Sequence, residues 1–377
     1  MSHSASSHST DSMSAAAPSM AAGSAGSSRG PLLCLALAGV LWGAGGLAGS
    51  LLGKVSGLSP LGVATVRLLA GGVLLVAFRM AARHLARLVR SRSSTDLSPV
   101  GADARGPGGL CRVPPGRGFK GVFPLGRGVD RGVVPPGMYS AAWTRITIAG
   151  LLAGGFQATY FLSISLSSVS LATLITIGGT PVIVHVAELV TGRQRLERSS
   201  LITLAVALVG LGLLIGIPGG GQSRAALLAS AGFALLSAAG FAALTLIGAS
   251  PVPGLDDLAM TGYGSLLGGL ALLPLALIVG GGALGGTAVG GLAFRASAES
   301  FGLIAGLGIG PTALAYILYY RGLRSASPTT AALMSLLEPL TAAILGAAIL
   351  GDRLSMAGIT GAILLGASVL RTVWASR

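Results

Sequence analysis

Residues 327–350 read SPTTAALMSLLEPLTAAILGAAIL, with Glu338 the single charged side chain in the run. A helix rises about 1.5 Å per residue, so this stretch is long enough to cross a hydrocarbon core of ~30 Å. Pro339 stands mid-segment, where it removes a backbone donor and predicts a bend. Nine further segments share the same character: 32–52, 58–79, 141–163, 169–190, 199–217, 226–247, 257–280, 299–320 and 356–374, with 327–350 the ninth in chain order. The chain is 52% hydrophobic and 10% charged, with a mean hydropathy of +0.81. A soluble domain carries about 25% charged residues. The expected fold is an all-α membrane protein of ten transmembrane helices.

The fourth segment carries its own mid-segment proline, Pro181. A shift of 339 − 181 = 158 residues aligns Phe161 with Tyr319, Ser167 with Ser325, Arg195 with Arg353 and Leu196 with Leu354. Ala38-Gly39 in the first segment likewise resembles Ala231-Gly232 in the sixth. Each half therefore holds five helices. Five is odd, so the second copy enters the membrane from the opposite side. Such an inverted repeat is a recurring plan of secondary transporters, with the binding site near the midplane between the halves.

The formal charge of +14 suggests a nucleic-acid binder until its placement is read. Lys and Arg concentrate in 79–145, in Arg193–Arg198 and in Arg321–Arg324, while the intervening loops hold only Lys54, Arg224, Arg295 and Arg353. This is the asymmetry of the positive-inside rule, with both termini and the 80–140 loop cytoplasmic. One loop is silent in that count: 248–256 belongs inside, yet it and the next residue bring Asp256 and Asp257 and no base. Arg outnumbers Lys 23 to 2 and Gly numbers 61, as a GC-rich genome would dictate, which points to a bacterial cytoplasmic membrane.

Residues 1–29 lack the basic region and cleavage site of a signal peptide and read as a disordered cytoplasmic tail. The 80–140 loop is rich in Gly, Pro and Arg. Arg83, Arg87 and Arg90 share one helical face suited to an anionic membrane surface. No aromatic interleaving marks a nucleic-acid site. Cys34 lies in the first helix and Cys111 in the loop, so no disulfide framework is expected. The domains expected are the tail, a first repeat over 32–217 with the 80–140 loop inside it, and a second repeat over 226–374.

The stretch Ala326 to Pro339, the following Leu350-Gly-Asp-Arg-Leu, Leu41-Trp42-Gly43 in the first helix and Arg67-Leu-Leu in the second resemble the EamA domain of the drug/metabolite transporter superfamily. The resemblance spans about 32–374 as two EamA-like units. It implies ten helices in inverted five-helix repeats and a central cavity that carries small metabolites. The family's acidic position after the fourth helix is Gln194 here, and Asp352 stands where Glu is commoner after the ninth.

Charge at bilayer depth costs at least ~2.5–3.5 kcal/mol, so each ionisable group inside the segments is a functional candidate. These are Arg67, His185, Glu338 and, at an edge, Glu188. Arg67 lies about 14 Å below the outer end of its helix, and Glu338 about 13 Å from the outer surface of a ~30 Å core. The matching depths admit a pair. Glu338 reads either as a carboxylate that binds a cation or a proton, tuned by Arg67, or as a structural group beside Pro339. Pro181, after Gly178-Gly179-Thr180, and Pro339 read as paired gating bends or as tolerated kinks. His185 reads as a protonation site or as a hydrogen-bonded structural histidine. Glu188 is expected to pair with Arg193 or Arg195. Trp42, Gln157, Tyr160 and Tyr316 are candidates for an apolar cavity with polar handles; Tyr319 and Tyr320 suit either that or an interfacial belt. Gly39, Gly43, Gly46, Gly268, Gly269, Gly306 and Gly310 are expected at close helix contacts.

No phosphate-binding Gly-Lys-Ser/Thr loop and no nucleophile–base pair stands out. His3, His8 and His84 lie outside the segments, so His185 has no metal partners. The expectation is a secondary transporter of small metabolites, amino acids or drug-like compounds among them, working by alternating access in the export direction. It needs no cofactor and no metal. Its partners are a small-molecule substrate, the lipid bilayer and a driving proton, with a homodimer an admissible assembly and no nucleic acid. An integral membrane enzyme or a non-transporting scaffold is the competing reading.

Overall fold

The computed structural model describes residues 29–95, 136–216, 222–250, 252–279, 292 and 294–375. The expectations placed on the N-terminal tail, on Cys111, on the side chain of Arg90 and on most of the 80–140 loop lie outside these residues. Among the described residues there is no strand, and ten helices are long and apolar enough to cross a membrane. They are α1 (Arg29–Ser56), α2 (Pro60–Thr95), α3 (Pro136–Leu166), α4 (Val169–Val190), α5 (Arg198–Ile215), α6 (Arg224–Gly248), α7 (Asp257–Val279), α8 (Ala298–Leu323), α9 (Pro328–Leu350) and α10 (Met356–Ala375). The expected segments are all present. The main difference is at the end of α2, which runs on to Thr95 because Ala, Arg and Leu favour the helix and no Gly or Pro stops it.

Serine hydroxyls start six of these helices. Ser59, Ser168, Ser223, Ser297, Ser327 and Ser355 each accept from the backbone N–H three residues on, filling one of the orphan donors of the first turn.

The packing obeys the repeat. Helix α1 packs on α8 and α9, and its counterpart α6 packs on α3 and α4. Helix α2 lies on α8 as α7 lies on α3, while α2 meets α7 and α5 meets α10 across the pseudo-twofold axis. The chain ends match too. Leu32 near the start of α1 and Val369 near the end of α10 share one core cluster, so both helices end at one face, here the terminal face. The opposite one is the far face. Side chains on the outside of the bundle, such as Leu33, Val73, Phe78, Ile278, Met356 and Trp374, are apolar and exposed, as a lipid-facing surface requires.

Small residues set the closest approaches. A Cβ on Gly39 would stand 2.8 Å from the Met334 carbonyl oxygen, and one on Gly43 2.5 Å from that of Glu338. Gly268 and Gly269 press in the same way on Gly150 and Leu69. Gly46, Gly306 and Gly310 differ from expectation, with nothing within 4 Å of a Cβ added there. Gly45, Gly71 and Gly72 take their place, against Pro311, Thr312 and Leu266.

The silent loop is explained at the terminal face. Asp256 pairs with Arg79 at 2.6 Å and Asp257 with Arg324 at 2.7 Å, while Arg145 donates to the Ile247 carbonyl oxygen at 2.5 Å. The two aspartates are counter-ions to bases on α2 and α8, so that corner needs no base of its own.

Candidate functional site

Where the two halves meet, a cavity of about 90 Å³ opens at mid-depth. At roughly 10–15 Å³ for each water it has room for several waters or a small solute. Seven helices line it. Helix α1 presents Trp42 and α2 Arg67; α3 presents Phe156, Gln157 and Tyr160; α4 presents Thr176, Ile177 and Thr180. From the second half come Phe241 on α6, Tyr316 on α8, and Ser335 and Glu338 on α9.

Aromatic rings close the terminal side. Trp42 meets Phe241, Tyr316 and Tyr319 at centroid distances of 5.8, 5.4 and 5.0 Å. Phe156 meets Phe241 at 5.4 Å. Beneath them Tyr319 and Tyr320 are buried, and the Tyr319 hydroxyl bonds Thr245 at 2.8 Å. These two tyrosines lie neither in an interfacial belt nor on the cavity wall. They belong to its floor.

Most small polar groups of the wall are already engaged. Thr176 donates to the Ala234 carbonyl oxygen at 3.1 Å, Thr180 to that of Thr176 at 2.8 Å, and Ser335 to that of Ala332 at 2.7 Å. Tyr160 and Thr173 share a 2.6 Å hydrogen bond. The two charges are different. Arg67 and Glu338 face the same space, yet among the described residues the ion pairs are those of Arg79 and Arg324, and none joins Arg67 to Glu338. The Arg67 Nε is buried without a hydrogen-bond partner among the described residues. The pairing read from equal depth is therefore a shared cavity and not a direct bridge.

Local structure explains how Glu338 arrives there. Pro339 has no N–H to give the Ser335 carbonyl oxygen, and the Glu338 N–H takes that acceptor at 2.9 Å. The tightened turn interrupts α9 between Met334 and Leu337, and Glu338 falls in the first turn of the segment Leu337–Leu345. A carboxylate is favoured at such an N-terminus, where backbone N–H groups concentrate positive potential. In α4 the helix passes through Pro181 without a break. The prolines themselves are buried, and the residue before each of them lines the cavity.

His185 is 3% exposed, does not line the cavity, and neither ring nitrogen has a hydrogen-bond partner among the described residues. Among the described residues the structure gives His185 no partner for the hydrogen-bonded alternative. Glu188 also differs. It is 3% exposed, and its Oε2 accepts from the Thr329 N–H at 2.9 Å and the Thr329 hydroxyl at 2.6 Å instead of meeting Arg193 or Arg195. The start of α9 has orphan donors to satisfy and lies inside the bundle, where those arginines do not reach. Phe156, Thr176, Ile177, Thr180, Phe241 and Ser335 were missed in the sequence. The repeat carried a signal for three of these positions, since the 158-residue shift pairs Ile177 with Ser335 and Thr180 with the predicted Glu338. No metal-binding cluster occurs among the described residues.

Ten helices in two inverted halves, meeting at a mid-depth cavity with charged and aromatic walls, define a multi-pass membrane protein of transporter architecture. Residues 228–374 match the EamA-like transporter family. An uncharacterized transporter of Bacillus subtilis (strain 168), YwfM, is 26% identical over 229 residues, which cover 59% of this chain and 71% of that protein. A protein of known crystal structure superposes with a TM-score of 0.61 at 17% identity, over 91% of this chain and 98% of that one, and so shares the fold. The second half of the chain thus matches EamA-like transporters, and the chain is similar over more than half its length to a protein named as a transporter.

Proposed function

We propose that the protein exports a small metabolite carrying both a cationic and an anionic group, an amino acid or a similar zwitterion, across a bacterial cytoplasmic membrane by alternating access. The observation that carries this reading is the pair of unbridged charges, Arg67 and Glu338, on one cavity. A buried charge without a partner is costly. A zwitterion relieves both costs at once, with its anionic end on Arg67 and its cationic end on Glu338. Trp42, Phe156, Phe241 and Tyr316 then offer an apolar wall to the remainder, and Gln157 a polar handle. Glu338 also accepts a proton in competition with the cationic end, which couples export to a proton gradient.

The moving parts in this reading are α4 and α9 at Pro181 and Pro339, with the repeats 32–217 and 226–374 as the two rocking units. The terminal face is cytoplasmic, in keeping with the Lys and Arg distribution. The test is metabolite profiling of medium from cells with and without the gene, followed by uptake into proteoliposomes. A zwitterion that accumulates outside only when the gene is present, and that the purified protein moves, supports the reading. Export confined to uncharged compounds, unaffected by Glu338→Gln, removes it.

A further inference from the structure

The two halves carry matching corners, one at each face. At the terminal face α4 ends beside the start of α9; at the far face the repeat makes the end of α9 and the start of α4 the counterparts of that pair. The 158-residue register extends through both corners. The Gln194 N–H bonds the Glu188 carbonyl oxygen at 3.2 Å, and the equivalent Asp352 N–H bonds the Gly346 carbonyl oxygen at 3.2 Å. Each corner holds one carboxylate. At the terminal face it is on the helix, as Glu188, with Gln194 in the loop. At the far face the helix has Gly346, and the loop residue Asp352 supplies the acid. The space is the same, for a Cβ on Gly346 would stand 2.9 Å from the Asp352 Oδ2. The opposing helix starts match as well. Ser327 caps α9 and Ser168 caps α4, one residue out of the 158-residue register, and counted from the cap the second residue of each helix is a hydroxyl residue, Thr329 or Ser170.

Only one corner is closed. Glu188 holds the N–H and the hydroxyl of Thr329. Asp352 is exposed, and Ser170 is half-buried. Burial along the gate helices follows. In Pro328–Leu336 every residue except Thr330 is buried, whereas in the equivalent 170–178 only Ala172, Thr176 and Gly178 are. An inverted repeat supplies the second state by exchanging the conformations of its halves.

We propose that Glu188–Thr329 and Asp352–Ser170 are alternating latches. The first closes the terminal face in the state seen here. In the opposite state it parts, and the Asp352 carboxylate caps the start of α4 through the N–H and hydroxyl of Ser170. Both latches use the same physics, an anionic acceptor on the orphan donors of a helix N-terminus. Their exchange keeps the energies of the two states close. The inference rests on the alternating-access reading, and its test needs no substrate.

The test uses the full chain with Cys34→Ser and Cys111→Ser, purified into nanodiscs that leave both faces accessible. The reporter is Ala332→Cys, which stands at a position now fully buried on the terminal half of α9. Its labelling by an impermeant thiol reagent is followed in time. Glu188→Ala and Thr329→Ala each raise the labelling rate by about tenfold, the equivalent of one hydrogen bond to a charged group. Thr329→Ser restores protection, and Asp352→Ala lowers the rate below that of the parent. Under mild oxidant, Ser170→Cys with Asp352→Cys forms a crosslink that raises labelling at position 332. Should Glu188→Ala fold poorly, the Thr329→Ala and Thr329→Ser pair gives the same comparison. Labelling at 332 that ignores Glu188 and Thr329 overturns the terminal latch. Failure of the 170–352 crosslink, under conditions that join Glu188→Cys to Thr329→Cys, overturns the far latch. A shift in labelling with no solute moved leaves the latches standing and defeats only the transport reading.

Discussion

Helices α4 and α9 are the same element in two copies, and they solve the same problem differently. Each carries a proline at mid-membrane that leaves the carbonyl four residues earlier without its helical donor. In α4 the helix stays continuous past the freed Ile177 carbonyl, and the residue before the proline, Thr180, donates its hydroxyl one position earlier, to the Thr176 carbonyl oxygen at 2.8 Å. In α9 the residue before the proline is Glu338, whose side chain faces the cavity, and the backbone there tightens into a break. The difference shows that the proline does not itself set the shape of a gate helix. What the freed carbonyl does next sets it: in α9 the Ser335 carbonyl oxygen takes the Glu338 N–H and the turn tightens, whereas in α4 the backbone keeps its helical course past Ile177. One copy then offers a hydroxyl to the cavity, the other a carboxylate.

The strongest challenge to this comparison is steric. The break in α9 is pressed against α1 at Gly43, where an added Cβ meets the Glu338 carbonyl oxygen and Thr341. Gly43→Val should lose about 1–3 kcal/mol of stability through overpacking, seen as a lower melting temperature and lower folded yield. Gly46→Val, facing open space, should leave both near the parent values. Equal losses at the two positions would mean that the α1–α9 contact does not support the break.

Next in size is the chemical asymmetry. Glu338→Gln should weaken zwitterion binding by about tenfold or more, since one hydrogen bond to a charged group is worth roughly 1.5–3 kcal/mol. It should also abolish gradient-driven accumulation while exchange persists. Thr180→Val, at the equivalent position, should cost about 1 kcal/mol of stability and leave accumulation in place. A Thr180→Val variant as impaired in transport as Glu338→Gln would erase the distinction between the copies.

The double-mutant comparison of Arg67 and Glu338 probes the absence of a bridge. Arg67→Leu alone leaves a buried carboxylate without compensating charge, so adding Glu338→Gln should recover part of the stability. Because the two side chains share a cavity without contact, the coupling should lie near 0.5–1 kcal/mol, well short of the 3–5 kcal/mol of a broken buried pair. A coupling in the higher range would require a direct bridge.

The smallest effect is expected at the prolines. Pro181→Ala restores a donor to a helix that is already continuous and should change stability by less than about 1 kcal/mol. Pro339→Ala removes the cause of the break and should slow transport more than it changes melting. Hydrogen exchange at residues 335–340 would report whether the helix closes.

The membrane class, the ten helices and the inversion were legible in residues 327–350 and the echo of Pro181 in Pro339, because a bilayer admits few solutions to backbone hydrogen bonding and an odd-numbered repeat must invert. Hydrophobic length, proline position and the rarity of buried charge are local properties, and they singled out Glu338 and Arg67. What surrounds those residues was not local. Phe241 and Phe156 read as ordinary apolar residues until α6 and α3 are packed together. Glu188 had arginines close in sequence, and only the fold brought it the unpaired N–H of Thr329 from 141 residues away. Asp256 and Asp257 looked misplaced until Arg79 and Arg324 were set beside them. The sequence by itself determined which groups the bilayer penalises. The tertiary structure decided which of them are relieved by a partner and which, like Arg67 and Glu338, are left facing a cavity, because that depends on lateral distances between helices that no spacing along the chain encodes.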